Sequence, residues 1–251
     1  MFKGKTITLA IPCKNEEIAI ASLLKKVPKF VDEVIVIDNN SSDNTRAVAK
    51  KLGAKVFVEK RHVDGIGYGY AHQKAIKETT TDYLITMDGD NTYPLDAIEK
   101  VVSLAEKKKL NFISCNRFPL KDEEVLSGIR QLGVWILNFE VRVLYGYPMQ
   151  DILSGMWLMD RTARKKLKLQ EGGWNLSPEI KLAALSNPQV AFGEYHIAHH
   201  ERAGESKQLI WKTGFEHLVY ILYRRIWIDS KLNALFALKQ NSDSLSLSFE
   251  N

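Results

Sequence analysis

Short apolar runs alternate with segments of helical periodicity over the first two thirds of the chain. The runs predict strands at residues 6–13, 33–38, 55–60, 83–87 and 112–116. The intervening segments predict helices at residues 16–27, 43–52, 70–78 and 94–108. Because the strands are continuous apolar runs, the pattern predicts an α/β fold with a mostly parallel, Rossmann-like sheet and helices on both of its faces.

The pattern changes after residue 123, where it predicts a long helix at residues 126–145, a helix at 177–185 and a strand-like stretch at 189–200. Beyond these, one helical stripe combines apolar and basic positions: Trp211, Phe215, Leu218, Val219, Leu222 and Ile226, flanked by Lys212, Arg224, Arg225 and Lys231. Such a stripe indicates either an interfacial helix on a membrane or a helix packed on the domain or on a second subunit. We therefore expect a catalytic domain at 1–208, a basic amphipathic helical segment at 209–239 and a disordered tail at 240–251.

Composition and net charge exclude few classes of function. The chain has 251 residues, of which 45% are hydrophobic, and a net charge of +5 that suits anionic partners such as phosphorylated molecules, nucleic acid or lipid. Cys13 and Cys115 lie in apolar runs, which favours buried thiols in a reducing compartment over a disulfide. The first residues lack a signal-peptide layout and no window is apolar enough to cross a bilayer, so we expect no membrane span.

Polar clusters follow the predicted strands at the points where those strands end. They occupy residues 12–16, 38–43, 88–90 and 116–117. Asp, Asn, Gly and Pro also favour turns, so any one cluster could be a simple turn. Ligands of open α/β sheets bind outside the carboxyl ends of the strands, and all four clusters fall there. The shared position favours a binding site.

Asp88 and Asp90 are separated by one glycine in this set, and their carboxylates are the hard oxygen ligands that Mg²⁺ or Mn²⁺ prefers. Arg117, Arg202 and Lys207 supply positive charge of the kind that binds phosphate. Each of these cations alone could be a solvated surface charge. Together with the acidic pair, they predict a metal-assisted site for more than one phosphate.

Seven motifs in a fixed order carry a family resemblance. They are IPCKNEE, VIVIDNNSSDNT, MDGDNTYP, the strand-end Arg117, DILSGMWLMDR, WNLSPEI and ERAGESK, and they cover roughly residues 6–210. In these motifs and their order, the chain resembles family 2 glycosyltransferases of the GT-A fold. Within that family it most resembles the polyprenyl-phosphate branch, which includes dolichyl-phosphate mannose and glucose synthases.

The resemblance implies roles for particular residues. Asp90 and Asp151 belong to the reaction centre, and Asp88 and Asp90 bind Mg²⁺ or Mn²⁺. The acceptor phosphate is bound by Ser154, Arg202 and Lys207. The nucleotide-sugar is contacted by Pro12, Lys14, Glu16, Asp38, Asn39, Asp88, Gly89, Arg117 and Glu179.

This chain departs from the family pattern at three of its motif positions. Asn39 and Lys14 replace an aspartate and an aromatic residue that the family often has, which affects the expected nucleotide. Thr92 replaces a common glutamine beside the metal.

The resemblance implies an inverting hexosyltransferase that moves a sugar from a nucleotide-diphospho-sugar, with UDP favoured over GDP, to a polyprenyl phosphate. Its partners would be that donor, that acceptor and the cytoplasmic face of a membrane, with no nucleic acid. A family 2 enzyme with a soluble acceptor and a non-catalytic sugar-nucleotide-binding module remain alternatives. The glycine-rich stretch DGIGYGYA at residues 64–71 also admits a dinucleotide oxidoreductase, although its spacing and its place after the third strand disfavour that function.

Overall fold

The computed structural model describes residues 1–120, 126–200 and 210–229, and these residues form a seven-stranded sheet. The strands are β1 (Ile7–Cys13), β2 (Glu33–Asp38), β3 (Lys55–Val58), β4 (Tyr83–Thr86), β5 (Phe112–Asn116), β6 (Trp157–Asp160) and β7 (Phe192–His196). The helices are α1 (Glu17–Leu24), α2 (Thr45–Lys51), α3 (Tyr68–Glu78), α4 (Ala97–Lys108), α5 (Gly128–Tyr145), α6 (Arg161–Lys166), α7 (Leu176–Leu185) and α8 (Ile210–Tyr223). A π-helical segment, Arg224–Asp229, continues α8.

The strand order is β3-β2-β1-β4-β6-β5-β7, and only β6 runs antiparallel to its neighbours. Alternate side chains of the buried strands enter two separate cores. One core joins the sheet to α1, α2 and α4, and the other joins it to α3, α6 and α7. The expected mostly parallel α/β sheet with helices on both faces is therefore confirmed.

The predicted strands and helices are found within a few residues of their expected limits, but α6 and β6 were not predicted. The apolar run inside the DILSGMWLMDR motif forms β6, which the sequence pattern did not predict. Its register with β4 and β5 inserts it between two strands that precede it in the chain. This insertion carries the segment before β6 across the edge of the sheet at which the parallel strands end.

The C-terminal helix α8 packs on α5, and a buried ionic cluster holds its end. Arg224 Nη2 lies 3.1 Å from Asp229 Oδ1, and the Tyr145 hydroxyl at the end of α5 donates to Asp229 Oδ2. Arg224 is therefore a buried structural cation and not part of the exposed basic charge expected beside the apolar stripe. The expected segment at 209–239 is described only for residues 210–229, and the expected tail at 240–251 lies outside the described residues.

Candidate active site

A cavity of about 480 Å³ lies at the carboxyl ends of β1, β2 and β4, beneath α5 and α8. The sheet edge supplies its floor, and the two helices supply its roof. Most of the predicted site residues that the structure describes contribute to its wall: Pro12, Lys14, Glu16, Asn39, Asp88, Gly89, Asp90 and Arg117.

Asparagine allows the chain to turn sharply at the ends of three strands on this floor. Asn15, Asn40 and Asn91 all have positive φ values, between 55° and 65°, in the region that asparagine tolerates better than most residues. The Asn15 side chain also accepts a hydrogen bond from the Ser42 backbone, and the Asn91 amide donates to the Ala19 carbonyl. The first bond joins the loops after β1 and β2, and the second joins the loop after β4 to α1.

Asp88 and Asp90 lie together on the cavity floor after β4. Asp90 Oδ1 accepts hydrogen bonds from the backbone and the hydroxyl of Thr92, which orients its carboxylate. A Cβ atom at Gly155 would lie 2.8 Å from Asp88 Oδ2, so only glycine allows this close approach. Among the described residues, no three His, Cys, Asp or Glu side chains form a complete cation cage. Two carboxylates beside an open cavity fit a Mg²⁺ or Mn²⁺ ion that takes its other ligands from phosphate and water.

Arg117, which follows β5, contributes a positive charge to the cavity wall, and Asp151 orients it. Its Nε and Nη2 atoms donate to the two Asp151 oxygens at 2.6 and 3.0 Å, and its backbone N–H donates at 3.2 Å. Burial raises the pKa of Asp151, but the Arg117 charge and its hydrogen bonds outweigh burial and hold that pKa below its ordinary value. Asp151 is itself fully buried behind Arg117. The structure therefore places the Asp151 carboxylate where it orients Arg117, and its place at the reaction centre stays a prediction.

The loop that carries Asp151, residues 150–155, is held by side chains from several different elements. Asn138 of α5 donates to the Gln150 carbonyl and accepts from the Ile152 backbone. The Gln150 backbone also donates to Glu194 of β7, and the Gly155 backbone donates to the Tyr93 hydroxyl. Burial raises the pKa of Glu194 to about 7. The loop is consequently fixed before any ligand binds.

Lys181 of α7 anchors the same loop from below. The residue is fully buried, and its ammonium donates to the Ser154 carbonyl at 2.7 Å and to the Ser177 carbonyl at 3.1 Å. Burial lowers the pKa of Lys181 to about 7, and the nearby Asp151 carboxylate opposes that shift. Lys181 thus joins the Asp151 loop to the first turn of α7, whose Ser177 lines the cavity.

Three further predicted site residues are buried away from the described cavity wall. Asp38 pairs with Arg46 at 2.6 Å and accepts from the Ser41 backbone, so it shapes the loop after β2. Glu179 accepts from the backbones of residues 170 and 171. Ser154 presents its carbonyl to Lys181 and its hydroxyl to the Met156 backbone. All three are motif positions whose side chains brace the fold beneath the cavity.

The proposed phosphate-binding residues Arg202 and Lys207 lie outside the described residues. The chain leading to them is nevertheless positioned, because the His200 backbone donates to the Thr92 carbonyl in the loop that follows the acidic pair. This hydrogen bond brings residue 200 to the metal side of the cavity.

Comparison with known proteins assigns this arrangement of strands and carboxylates to a family. The family model described as glycosyl transferase family 2 matches residues 8–168, which is more than half of the chain. The chain belongs to glycosyl transferase family 2. The matched region covers the sheet from β1 to β6, the acidic pair and the Arg117–Asp151 pair.

Two curated relatives come from Haloferax volcanii. The low-salt glycan biosynthesis hexosyltransferase Agl6 is 26% identical over 227 residues, covering 86% of this chain and 53% of the relative. The chain therefore spans about half the length of that relative. A dolichyl-phosphate hexose transferase is 29% identical over 199 residues, covering 77% of this chain and 82% of the relative.

A crystal structure with the same fold is glucosyl-3-phosphoglycerate synthase from Mycobacterium tuberculosis in complex with Mn²⁺, UDP-glucose and phosphoglyceric acid. It superposes with a TM-score of 0.69 at 22% identity, covering 88% of this chain and 80% of that one. The likeness supports the GT-A fold for this family 2 glycosyltransferase.

Several cavity residues of this glycosyltransferase were not predicted from the sequence. Tyr68 and Trp174 form an aromatic wall, with their ring centroids 4.9 Å apart. His199 packs on Tyr93 near the acidic pair, and burial together with the Arg117 charge lowers its pKa to about 4, so its imidazole is neutral at pH 7. Both aromatic residues of the wall lie in segments that the sequence analysis had singled out, Tyr68 in the glycine-rich stretch at 64–71 and Trp174 at the start of the WNLSPEI motif.

The roof of the glycosyltransferase cavity has an unusual distribution of apolar residues. Helix α8 buries Thr213, His217 and Tyr220, whereas Trp211 and Phe215 are 79% and 70% exposed. Helix α5 likewise exposes a set of large apolar side chains: Ile129, Leu132, Trp135, Ile136, Phe139 and Val143. The two helices contact each other, so the exposed apolar residues belong to one region of the surface. None of the described helices is long and apolar enough to span a membrane.

Proposed function

We propose that this family 2 enzyme transfers a hexose from a nucleotide-diphospho-sugar, UDP-sugar in preference to GDP-sugar, to a polyprenyl phosphate at a membrane surface. The observation that carries the proposal is one cavity with two contrasting sides. Asp88, Asp90 and Arg117 supply a cation-assisted anion site on its floor, and helices with exposed apolar faces form its roof.

The donor half of the cavity suits a sugar diphosphate. A Mg²⁺ or Mn²⁺ ion on Asp88 and Asp90 would supply positive charge to the departing diphosphate. Arg117 adds a rigid guanidinium on the same wall, held in place by Asp151. Asn39 and Gly67 lie in contact at the nucleotide end, where a Cβ on Gly67 would come within 2.1 Å of the Asn39 amide. The Mn²⁺ and UDP-glucose bound to the glucosyl-3-phosphoglycerate synthase support a cation-assisted nucleotide-sugar donor.

The proposed acceptor would not need a carboxylate of the site to act as a general base. A phosphate monoester has a second pKa near 6, so at pH 7 it is largely a dianion and needs no general base. Asp151, which the family resemblance assigns to the reaction centre together with Asp90, has its carboxylate hydrogen-bonded to Arg117 in the structure. In the proposed reaction a phosphate oxygen attacks the anomeric carbon as the carbon–oxygen bond to the diphosphate breaks. The bonding electrons leave with the nucleotide, and the anomeric configuration inverts.

The roof supports contact with a membrane. The outward face of α8 and α5 carries tryptophan, phenylalanine and aliphatic side chains of the kind that insert at the headgroup boundary. Lys212 lies beside Trp211 and is 59% exposed, and its ammonium lies 3.8 Å from both Asp64 and Glu216, so anionic headgroups would compete with these two carboxylates for it. A polyprenyl phosphate has its phosphate at that boundary, which suits a cavity opening beneath the roof helices. The dolichyl-phosphate hexose transferase of Haloferax volcanii supports this acceptor class.

The test is mass spectrometry of the lipid extract after incubation of the purified protein with Mn²⁺, polyprenyl phosphate and either UDP- or GDP-hexoses. We expect a glycosyl phosphopolyprenol with inverted anomeric configuration and a requirement for metal. A matched reaction replaces the lipid with 3-phosphoglycerate, because the structurally similar synthase was crystallised with phosphoglyceric acid. Product only in the matched reaction would refute the lipid acceptor, and a product that retains the donor configuration would refute the single displacement.

A further inference from the structure

Each of the two roof helices presents a stripe to the cavity, and a glycine lies in the middle of each stripe. On α5 the stripe consists of Ile129, Arg130, Gly133, Val134 and Leu137. On α8 it consists of Ile210, Thr213, Gly214 and His217. These positions recur at intervals of three and four residues, so each set shares one face of its helix.

Neither backbone geometry nor close packing requires these two glycines. Both lie inside α-helices, and neither is among the residues with positive φ. A Cβ atom built on Gly133 or on Gly214 would meet no atom within 4 Å. In contrast, a Cβ on Gly69 of α3 would lie 2.1 Å from the Glu171 carbonyl oxygen. Glycine is less favourable than alanine inside a helix, so the structure retains two unfavourable residues where larger ones would fit.

A side chain at Gly133 or Gly214 would reduce the space between the two helices. Gly133 and Gly214 both line the cavity, and side chains there would project from the two stripes that face it. We define the roof slot as the part of the cavity between Gly133 and Gly214. The missing side chains widen this slot, and the helices lose intrinsic stability in exchange for the space.

The walls of the roof slot are mainly apolar, with Arg130, Thr213 and His217 as polar members, and they indicate a largely apolar occupant. Val134 and Leu137 are buried along it, while Ile129 and Ile210 are partly exposed at its mouth. Beyond the mouth the same helices continue into the exposed apolar surface described above, and at its inner end the cavity reaches Arg117. A ligand that matches this path has an anionic head near Arg117 and an apolar chain that leaves between the helices.

We propose that Gly133 and Gly214 are specificity determinants that keep the roof slot open for the first isoprene units of a prenyl phosphate. This assignment rests on the proposed function, because it divides the same cavity into a sugar-nucleotide part and a prenyl part. It predicts that filling the slot weakens binding of the prenyl chain without weakening binding of the nucleotide.

The experiment measures equilibrium binding of farnesyl phosphate and, separately, of UDP with Mn²⁺ to the full chain and to slot variants. Gly133→Leu and Gly214→Leu should weaken farnesyl phosphate binding about tenfold or more, in the range expected when a few methylene groups no longer fit a hydrophobic pocket. Their UDP affinity should stay within about twofold of wild type. Gly133→Ala and Gly214→Ala should weaken farnesyl phosphate binding less and raise the melting temperature, because alanine favours the helix.

Gly128→Ala is the matched control. Gly128 also lies on α5 and has no atom within 4 Å of a built Cβ, but it is exposed and is not part of the described cavity wall. It should leave farnesyl phosphate binding unchanged. Folded leucine variants with wild-type farnesyl phosphate affinity would overturn the proposal, as would an equal loss of UDP affinity. If the alanine variants alone fold, unchanged farnesyl phosphate binding in them overturns it.

Binding and turnover are measured separately, so that a failure of the slot proposal can be distinguished from a failure of the proposed transfer reaction. A wild-type enzyme that makes no glycosyl lipid, but whose leucine variants lose farnesyl phosphate affinity, refutes the proposed transfer and supports the slot. A wild-type enzyme that makes glycosyl lipid, but whose leucine variants bind farnesyl phosphate normally, supports the transfer and refutes the slot.

Discussion

Replacing Asp151 with asparagine separates a positioning role from a chemical one. The Asp151 carboxylate accepts four hydrogen bonds: from the backbone, Nε and Nη2 of Arg117 and from the Leu153 backbone. Asparagine keeps one acceptor oxygen but turns an N–H₂ group towards the N–H donors. Some of these four hydrogen bonds are therefore lost, together with the negative charge. The Arg117 guanidinium then stays in a largely buried site without its counter-charge.

The expected loss of stability follows from that geometry. Removing one partner of a buried ion pair costs about 3–5 kcal/mol. The Arg117 side chain is 11% exposed to the cavity and keeps some hydration, so we expect a loss of about 3 kcal/mol at the lower end of that range. For a chain of this length, that corresponds to a decrease in melting temperature of roughly 6–12 °C.

The pH dependence gives a second, independent measure. The folded-state pKa of Asp151 lies below the ordinary value of 3.8, so its contribution to stability is complete above that value and is lost as the pH falls through the folded-state pKa. The difference in unfolding free energy between wild type and Asp151→Asn should therefore be constant from pH 5 to 8 and narrow below about pH 4.

Urea unfolding at several pH values, with UDP affinity and turnover measured on the same samples, tests this prediction. Asp96→Asn is the control, because its pair with Lys100 is solvent-exposed and should contribute little to stability. We expect Asp151→Asn to lose stability and UDP affinity together, because Arg117 is no longer oriented. A variant that unfolds at the wild-type urea concentration and binds UDP normally, yet does not turn over, would show that Asp151 acts in the chemical step.

The remaining predictions concern the metal pair, a buried amine and the roof. Asp90→Asn should abolish the Mn²⁺ stimulation of UDP binding; calorimetry that finds the same stimulation as in wild type would contradict the metal assignment. Burial lowers the pKa of Lys181 to about 7 in the folded chain. Between pH 7 and 9 the amine is therefore protonated in the unfolded chain but largely neutral in the folded chain, so wild-type stability should rise over that range. Lys181→Met should flatten that rise in urea unfolding, and an unchanged slope would assign it to other groups. Trp211→Ser combined with Phe215→Ser should reduce sedimentation with anionic vesicles several-fold and leave UDP binding intact; undiminished sedimentation would place the lipid contact elsewhere.

The strand-end clusters could be predicted from the sequence because their position depends on local patterns. Each apolar run ends in a polar segment, and the parallel arrangement brings those ends together at one edge. Strand β6 escaped prediction because its pairing partners lie far away in the chain, where no local pattern specifies them. The same long-range pairing decides where Asp151 lies, so its burial behind Arg117 could not be read from the motif.

Motif membership also failed to separate residues that touch the cavity from residues that support it. Asp38 and Asn39 are adjacent, yet the strand pleat directs one towards Arg46 and the other to the cavity. For α8, the helical periodicity identified the apolar stripe but did not show whether that stripe packs on the protein or faces outward. The structure shows that the opposite, more polar face packs inward, which leaves Trp211 and Phe215 outside.

The division of the cavity between floor and roof has a consequence for how such enzymes diversify. The floor is built from strand ends within residues 8–168, the segment that the family model matches, whereas α8 begins at Ile210 beyond that segment. Exchange of the last helix between homologues would leave the cation and diphosphate contacts intact. Under the proposed function, replacing α8 would alter one of the two roof helices, and with it the fit of the acceptor, without rebuilding the strand ends or α5.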